Sequence, residues 1–122
     1  MINYQRIDHV YICVPPGKEH EAHHFYTSVM GFEPKLRPVD LSNTSGYWYQ
    51  LPDMELHIGT EKGISNSKRH FAMEVTDLKA ARLHLEEHGV KIIEEVPISG
   101  RDRFTFRDPY GNRIEFLEYH SL

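Results

Sequence analysis

The order of local patterns runs through the chain twice, and a repeat of that kind restricts the fold more than any single residue can. In the first half, IDHVYICV (7–14) alternates, with Val10, Ile12 and Val14 on one face and His9, Tyr11 and Cys13 on the other. Pro15-Pro16-Gly17 ends that strand. Residues 19–30 place Ala22, Phe25, Tyr26, Val29 and Met30 at helical spacing, and Gly31 suits the helix end. FEPKLRPV reads as an edge strand because its prolines cannot donate to a ladder. GYWYQL and MELHIG then predict two more strands. The second half repeats the order. RHFAMEV is a strand, and Asp77 is an N-cap for LKAARLHLEEH, which Gly89 closes. VKIIEEV, RDRFTFRD and NRIEFLEY follow as strands, the last two joined by the turn DPYG. The chain therefore predicts β-α-β-β-β twice, over about residues 5–60 and 68–119, as two modules of one α+β domain spanning 1–122.

The alternation sorts the side chains. Val10, Ile12, Met54, Leu56, Ile58, Phe71, Met73, Phe104, Phe106, Ile114 and Phe116 suit a face covered by the helices. The opposite face carries His9, Tyr11, Glu55, His57, His70, Glu74, Arg103, Thr105, Arg107, Arg113 and Glu115. That set is too polar for a second dry core and too rich in imidazoles and aromatics for a plain solvated face. If the sheets curl, it lines a cleft.

Composition excludes other classes. A net charge of −4 with no basic stripe argues against a nucleic-acid partner. No apolar run approaches the ~20 residues of a membrane span, and the start MINYQRIDHV has no apolar signal core. The single cysteine, Cys13, rules out an internal disulfide framework and fits a reducing cytoplasm.

Nine histidines are the notable excess. His9 and His70 occupy matching places at the start of each half's first strand. Glu115 lies on the last strand between two large apolar neighbours, where an unpaired carboxylate is costly. Two imidazoles and a carboxylate are the donors a borderline divalent ion takes, whether Zn, Mn, Fe, Ni or Co. These residues point to one metal ion.

The stretches DHVYICV, FYTSVMGFE, LHIG, RHFAMEV, DLKAARLHLEEHGV and FRDPYGNRIEFLE together resemble the vicinal oxygen chelate superfamily. That group includes glyoxalase I, extradiol dioxygenases, fosfomycin-resistance thiol transferases and bleomycin-resistance proteins. The resemblance implies two βαβββ modules forming a curled mixed sheet around a cleft. It implies His9 and His70 as first-strand ligands and Glu115 as a last-strand ligand, with Glu115, or in its place Glu55, as the catalytic proton carrier. Its fourth position falls on MELHIG, where Glu55 and His57 share parity; His57 is preferred because Glu55 starts the strand. It also implies a glyoxalase-like metal-dependent lyase, isomerase or dioxygenase, a substrate chelating the metal through neighbouring oxygens, and a homodimer. Metal-free binders of the bleomycin-resistance type are the alternative. Tyr11, Tyr47, Trp48 and Tyr49 either line the cleft or pack; Tyr49 and Arg103 are the expected substrate contacts, Arg103 because a guanidinium suits an anionic group, and Arg107, beside Asp108, either shares that role or is surface charge.

Overall fold

The computed structural model describes residues 1–64 and 66–121. It divides into two compact units, Met1–Gly63 and Ile64–Leu122.

In the first unit, β1 (His9–Val14) is followed by helix α1 (Glu19–His24) and a π-helical turn, Phe25–Val29. Strands β2 (Glu33–Lys35), β3 (Tyr47–Gln50) and β4 (Glu55–Thr60) complete it. The sheet order is β1-β4-β3-β2, with β1 parallel to β4 and the other pairs antiparallel. The second unit repeats this plan. It holds β5 (His70–Glu74), α2 (Leu78–Glu87), β6 (Ile93–Glu94), β7 (Arg101–Arg107) and β8 (Arg113–Tyr119), in the order β5-β8-β7-β6. Each unit is thus one βαβββ module with a mixed four-stranded sheet, and the chain is α+β.

Local physics explains the departures from the expected elements. The helix expected over 19–30 widens after His24: Met30 N–H donates to the Phe25 carbonyl, and the Thr27 hydroxyl to the His23 carbonyl at 2.7 Å. The wider turn lets the consecutive rings of Phe25 and Tyr26 both bury. FEPKLRPV keeps only Glu33–Lys35 as strand, because Pro38 diverts the chain into a 3₁₀ turn at Val39–Leu41. VKIIEEV pairs only through Ile93 and Glu94. In α2, the Asp77 carboxylate accepts from Ala80 N–H at 3.0 Å, as its N-cap position requires.

Each unit has its own core on the helix-covered face. Val14, Ala22, Tyr26, Tyr49, Leu56 and Ile58 form the first. Leu85, Phe104, Phe106, Ile114 and Phe116 form the second, where Phe106 meets Phe116 edge-on at 4.9 Å. The parallel pairings carry the repeat down to single residues. His9 pairs with Glu55, and two residues on Tyr11 pairs with His57. His70 pairs with Arg113, and two residues on Ala72 pairs with Glu115. His57 and Glu115 are therefore equivalent places in the two sheets, which ranks His57 above Glu55 as the counterpart of Glu115. Among the described residues, no helix is long and apolar enough to cross a membrane.

Candidate functional site

In the first unit, the polar face is organised around a ladder of rings. His57 lies between His9, at 4.0 Å and 13° between planes, and Trp48, at 3.8 Å and 4°. His57 is only 6% exposed. Its Nε2–H donates to Glu55 Oε1 at 2.9 Å, and the other Glu55 oxygen takes the Lys35 ammonium. Those two bonds, His57 first and Lys35 second, hold the Glu55 carboxyl below its ordinary range. His9 Nδ1–H donates to Asp8 Oδ2 at 2.8 Å. That bond, more than nearby Arg6, holds the Asp8 carboxyl low. In the neutral imidazole, donation from Nδ1 makes Nε2 the nitrogen with the lone pair.

The second unit presents the same tautomer by a different route. His70 Nδ1–H donates to the Lys68 carbonyl at 3.1 Å, and Arg113 Nη1 donates to the same carbonyl at 3.0 Å. His70 Nε2 then faces Glu115 Oε1 at 3.3 Å. The contact joins an imidazole nitrogen on β5 to a carboxylate oxygen on the paired strand β8. Glu115 is 7% exposed, and Arg103 Nη1 stands 3.4 Å from the same oxygen. Arg103 is itself anchored, donating through Nε and Nη2 to the Val96 carbonyl at 3.2 and 2.8 Å. Beside it Glu95 accepts from Thr105 at 2.8 Å and from Arg113 at 2.9 Å, and these partners, Thr105 first, hold its carboxyl low. Arg107 donates to the carbonyls of Ser67 and Gly111 at 3.0 and 2.6 Å, fixing the entry to β5 rather than reaching for a ligand.

These donors fit a divalent ion in chemistry. Each leading histidine has Nδ1 committed to an oxygen acceptor, the outer-shell bond that orients metal-ligating imidazoles and leaves Nε2 free. The Glu115 carboxylate is buried beside one of them. His57 fits less well. Its ring lies parallel to that of His9, so the in-plane lone pairs of the two rings do not converge, and its Nε2 is taken by Glu55. Among the described residues, no group of three or more His, Cys, Asp and Glu side chains is arranged to hold an ion; the donors stand in pairs within each unit.

Tyr49, expected as a substrate contact, lies on the other face. It is fully buried, and its hydroxyl meets His23 Nδ1 at 2.8 Å. Burial pushes the Tyr49 phenol up, so it keeps its proton and donates to a neutral His23. Strand parity explains the placement: Trp48, not Tyr49, pairs with His57 and shares its face. Alternation assigns Arg113 to the polar face, but the polar-face roles of Trp48, Asp8 and Arg37 escape a reading of spacing alone. Of those three, only Trp48 carried a signal, its single-residue offset from Tyr49.

The His23 bond has a consequence for stability. Burial first, then the neighbouring His20 and His24, lower the His23 imidazole below its ordinary 6.5. In that range the unfolded chain binds more protons than the folded one, so folding weakens as pH falls from about 6.5. Urea unfolding at pH 7.5 and 5.5 is expected to show lower stability at 5.5, with the difference shrinking in His23→Gln. The carboxylates with shifted values titrate below this window. An unchanged difference in the variant would refute the assignment.

Comparison with known proteins gives one family. The profile of the Glyoxalase/Bleomycin resistance protein/Dioxygenase superfamily matches residues 6–116. A provisionally assigned glyoxalase family protein from Bacillus anthracis is 37% identical, with 98% of this chain and 100% of that one covered and a TM-score of 0.89. A lactoylglutathione lyase from Agrobacterium tumefaciens, 16% identical over 95% of each chain, superposes with a TM-score of 0.75. An antibiotic binding protein from Streptomyces, 19% identical, covers 98% of this chain and 100% of its own with a TM-score of 0.74. At those identities the last two share the fold alone. No protein of curated function matches the chain.

Proposed function

The chain belongs to the Glyoxalase/Bleomycin resistance protein/Dioxygenase superfamily, and from that premise we propose a cytoplasmic, homodimeric, metal-dependent lyase, isomerase or dioxygenase. Its substrate is a small molecule that chelates the metal through neighbouring oxygens. His9, His70 and Glu115 are the ligands, and Glu115 also carries the proton. The observation that supports this reading is a repeated contact at Nδ1 of the two leading histidines. Both leading histidines spend Nδ1 on an acceptor, Asp8 in one unit and the Lys68 carbonyl in the other, and keep Nε2 for an ion. His57 supports His9 by stacking instead of joining the set.

A divalent ion bound there supplies Lewis-acid stabilisation of a developing oxyanion. The chain's own residues do the rest. Glu115 accepts a proton from a carbon next to the chelating oxygens and returns it to the neighbouring carbon. Arg103 keeps that carboxylate turned toward His70 and presents positive charge to an anionic group.

The test is metal stoichiometry by elemental analysis, followed by calorimetric titration of the stripped protein with Zn, Ni, Co, Mn and Fe(II). About one ion per chain is expected. His9→Ala, His70→Ala and Glu115→Gln are expected to lose it, and Asp8→Asn to weaken it about tenfold. His57→Ala is expected to retain most of the affinity. Light scattering should give twice the 14.3 kDa chain mass. Wild-type protein that binds no ion, or full affinity in His70→Ala and Glu115→Gln, overturns the metal reading.

A second reading has its own observation. Glu115 is already neutralised by Arg103, and the donors stand in pairs. A protein that uses the same residues only as polar walls would sequester a small molecule without turning it over. Such a protein would hold its ligand after chelation of all metal.

A further inference from the structure

We infer that the cavity on the polar face of the first unit is a binding site for a flat aromatic ring bearing a carboxylate, with Arg37 as the anion-recognising residue. The inference rests on the small-molecule reading of this family member but not on the metal.

The cavity measures about 690 Å³ and is lined by residues of the first unit only. One wall is aromatic: Tyr11, His57 and Trp48, with His9 continuing the ladder. Tyr11 and His57 are register partners on β1 and β4, and Trp48 and His57 on β3 and β4, so the three stand side by side on one face. The absence of a side chain at Gly59 lets the Tyr11 ring lie over it and form the floor; a Cβ at Gly59 would lie 1.6 Å from the Tyr11 hydroxyl. Both faces of His57 are covered by His9 and Trp48, so the ladder meets a ligand through ring edges, and edge-to-face contact with a flat aromatic group contributes beyond area burial.

Charge decides which flat group. Two carboxylates line the cavity, and both are already partnered: Asp8 by His9 and Arg6, Glu55 by His57 and Lys35. Arg37 differs. Its guanidinium donates through Nη1 to the Thr44 carbonyl at 2.9 Å and through Nη2 to the Thr44 hydroxyl at 2.6 Å. Both acceptors are neutral, and among the described residues no carboxylate pairs with Arg37. Its Nε is shielded from solvent without a hydrogen-bond partner. Thr44 therefore aims the cation without neutralising it. A guanidinium fixed in orientation and short of an acceptor is suited to a planar carboxylate. Cationic ligands gain nothing, since both acidic groups of the wall are spent.

Trp48 is the single tryptophan of the chain, so its indole N–H gives one isolated NMR signal that reports on this cavity. The wild-type protein is titrated, with a chelator present, against naphthoate, naphthalenemethanol, naphthylmethylammonium and cyclohexanecarboxylate. Naphthoate is expected to move the Trp48 signal saturably and to bind at least about tenfold tighter than each of the others. Arg37→Met is expected to reduce naphthoate to the level of the uncharged analogue, and Arg37→Lys to recover part of the loss. Lys79→Ala, an exposed position on α2 of the second unit, is expected to leave naphthoate affinity unchanged. Equal binding of charged and uncharged naphthalenes by the wild-type protein, a comparison that needs no variant to fold, overturns the inference. So does unchanged affinity in Arg37→Met. Naphthoate binding with no metal uptake would overturn the metal reading and leave this one standing.

Discussion

Gly46→Ala is expected to destabilise the protein by about 3 kcal/mol, from overpacking and backbone strain together. Gly46 has φ +153°, and a Cβ built there would stand 2.2 Å from the Ile58 carbonyl oxygen. That oxygen belongs to β4, whose Ile58 pairs with Tyr47, so it cannot retreat without opening the β3–β4 ladder. Gly59 makes an instructive contrast. Its imagined Cβ meets the hydroxyl and ring of Tyr11, a side chain more than half exposed that can turn away where backbone cannot. Gly59→Ala should therefore alter the cavity floor and cost far less stability. Urea unfolding of both variants checks the pair. Similar, small losses would show that β4 yields where the geometry says it cannot. Trp48 fluorescence should shift in Gly46→Ala, because displacement of β3 pulls the indole off His57.

Much of this architecture is written in local alternation. Period two along DHVYICV, MELHIG and NRIEFLEY assigns His9, His57 and Glu115 to the polar faces, and the sheets place Leu56, Ile58, Ile114 and Phe116 opposite them. Register is not written there. Whether Glu55 or His57 corresponds to Glu115 depends on how β1 slides along β4, a pairing between residues far apart in sequence. Parity alone cannot choose, because Glu55 and His57 share it. Tyr49 fails for a related reason. YWYQ places aromatics on both faces, so aromatic character does not say which face the helix covers; His23, donated from α1, claims Tyr49. The pairing partners of the candidate donors are also non-local. Nothing in the sequence spacing says that the Lys68 carbonyl holds His70, or that Arg103 stands beside Glu115. The π turn at Phe25–Val29 reflects two adjacent rings that must both bury, a demand that helical periodicity does not encode.

Asp108→Ala is expected to cost about 3 kcal/mol, the second large effect, by orphaning buried donors. Asp108 is buried in the turn DPYG that joins β7 to β8. Its Oδ1 accepts from the backbone N–H of Tyr110 at 2.9 Å and of Asn112 at 2.8 Å, and its Oδ2 from the Asn112 amide at 2.8 Å. The Asp108 N–H donates in turn to the Asn112 carbonyl at 2.9 Å. This one carboxylate closes the turn, and the turn sets the register that places Glu115 opposite Thr105. Alanine removes the acceptor of both backbone N–H bonds, and a buried donor that loses its bond costs about 1–3 kcal/mol. Asp108→Asn keeps one acceptor oxygen and should recover roughly half of the loss. Hydrogen exchange separates a local effect from a global one. The Tyr110 and Asn112 amides should lose protection in Asp108→Ala well before those of β5 and β8. A variant within about 0.5 kcal/mol of wild type, the range of an ordinary surface change, would mean that the β7–β8 ladder holds its own register and the turn merely follows it.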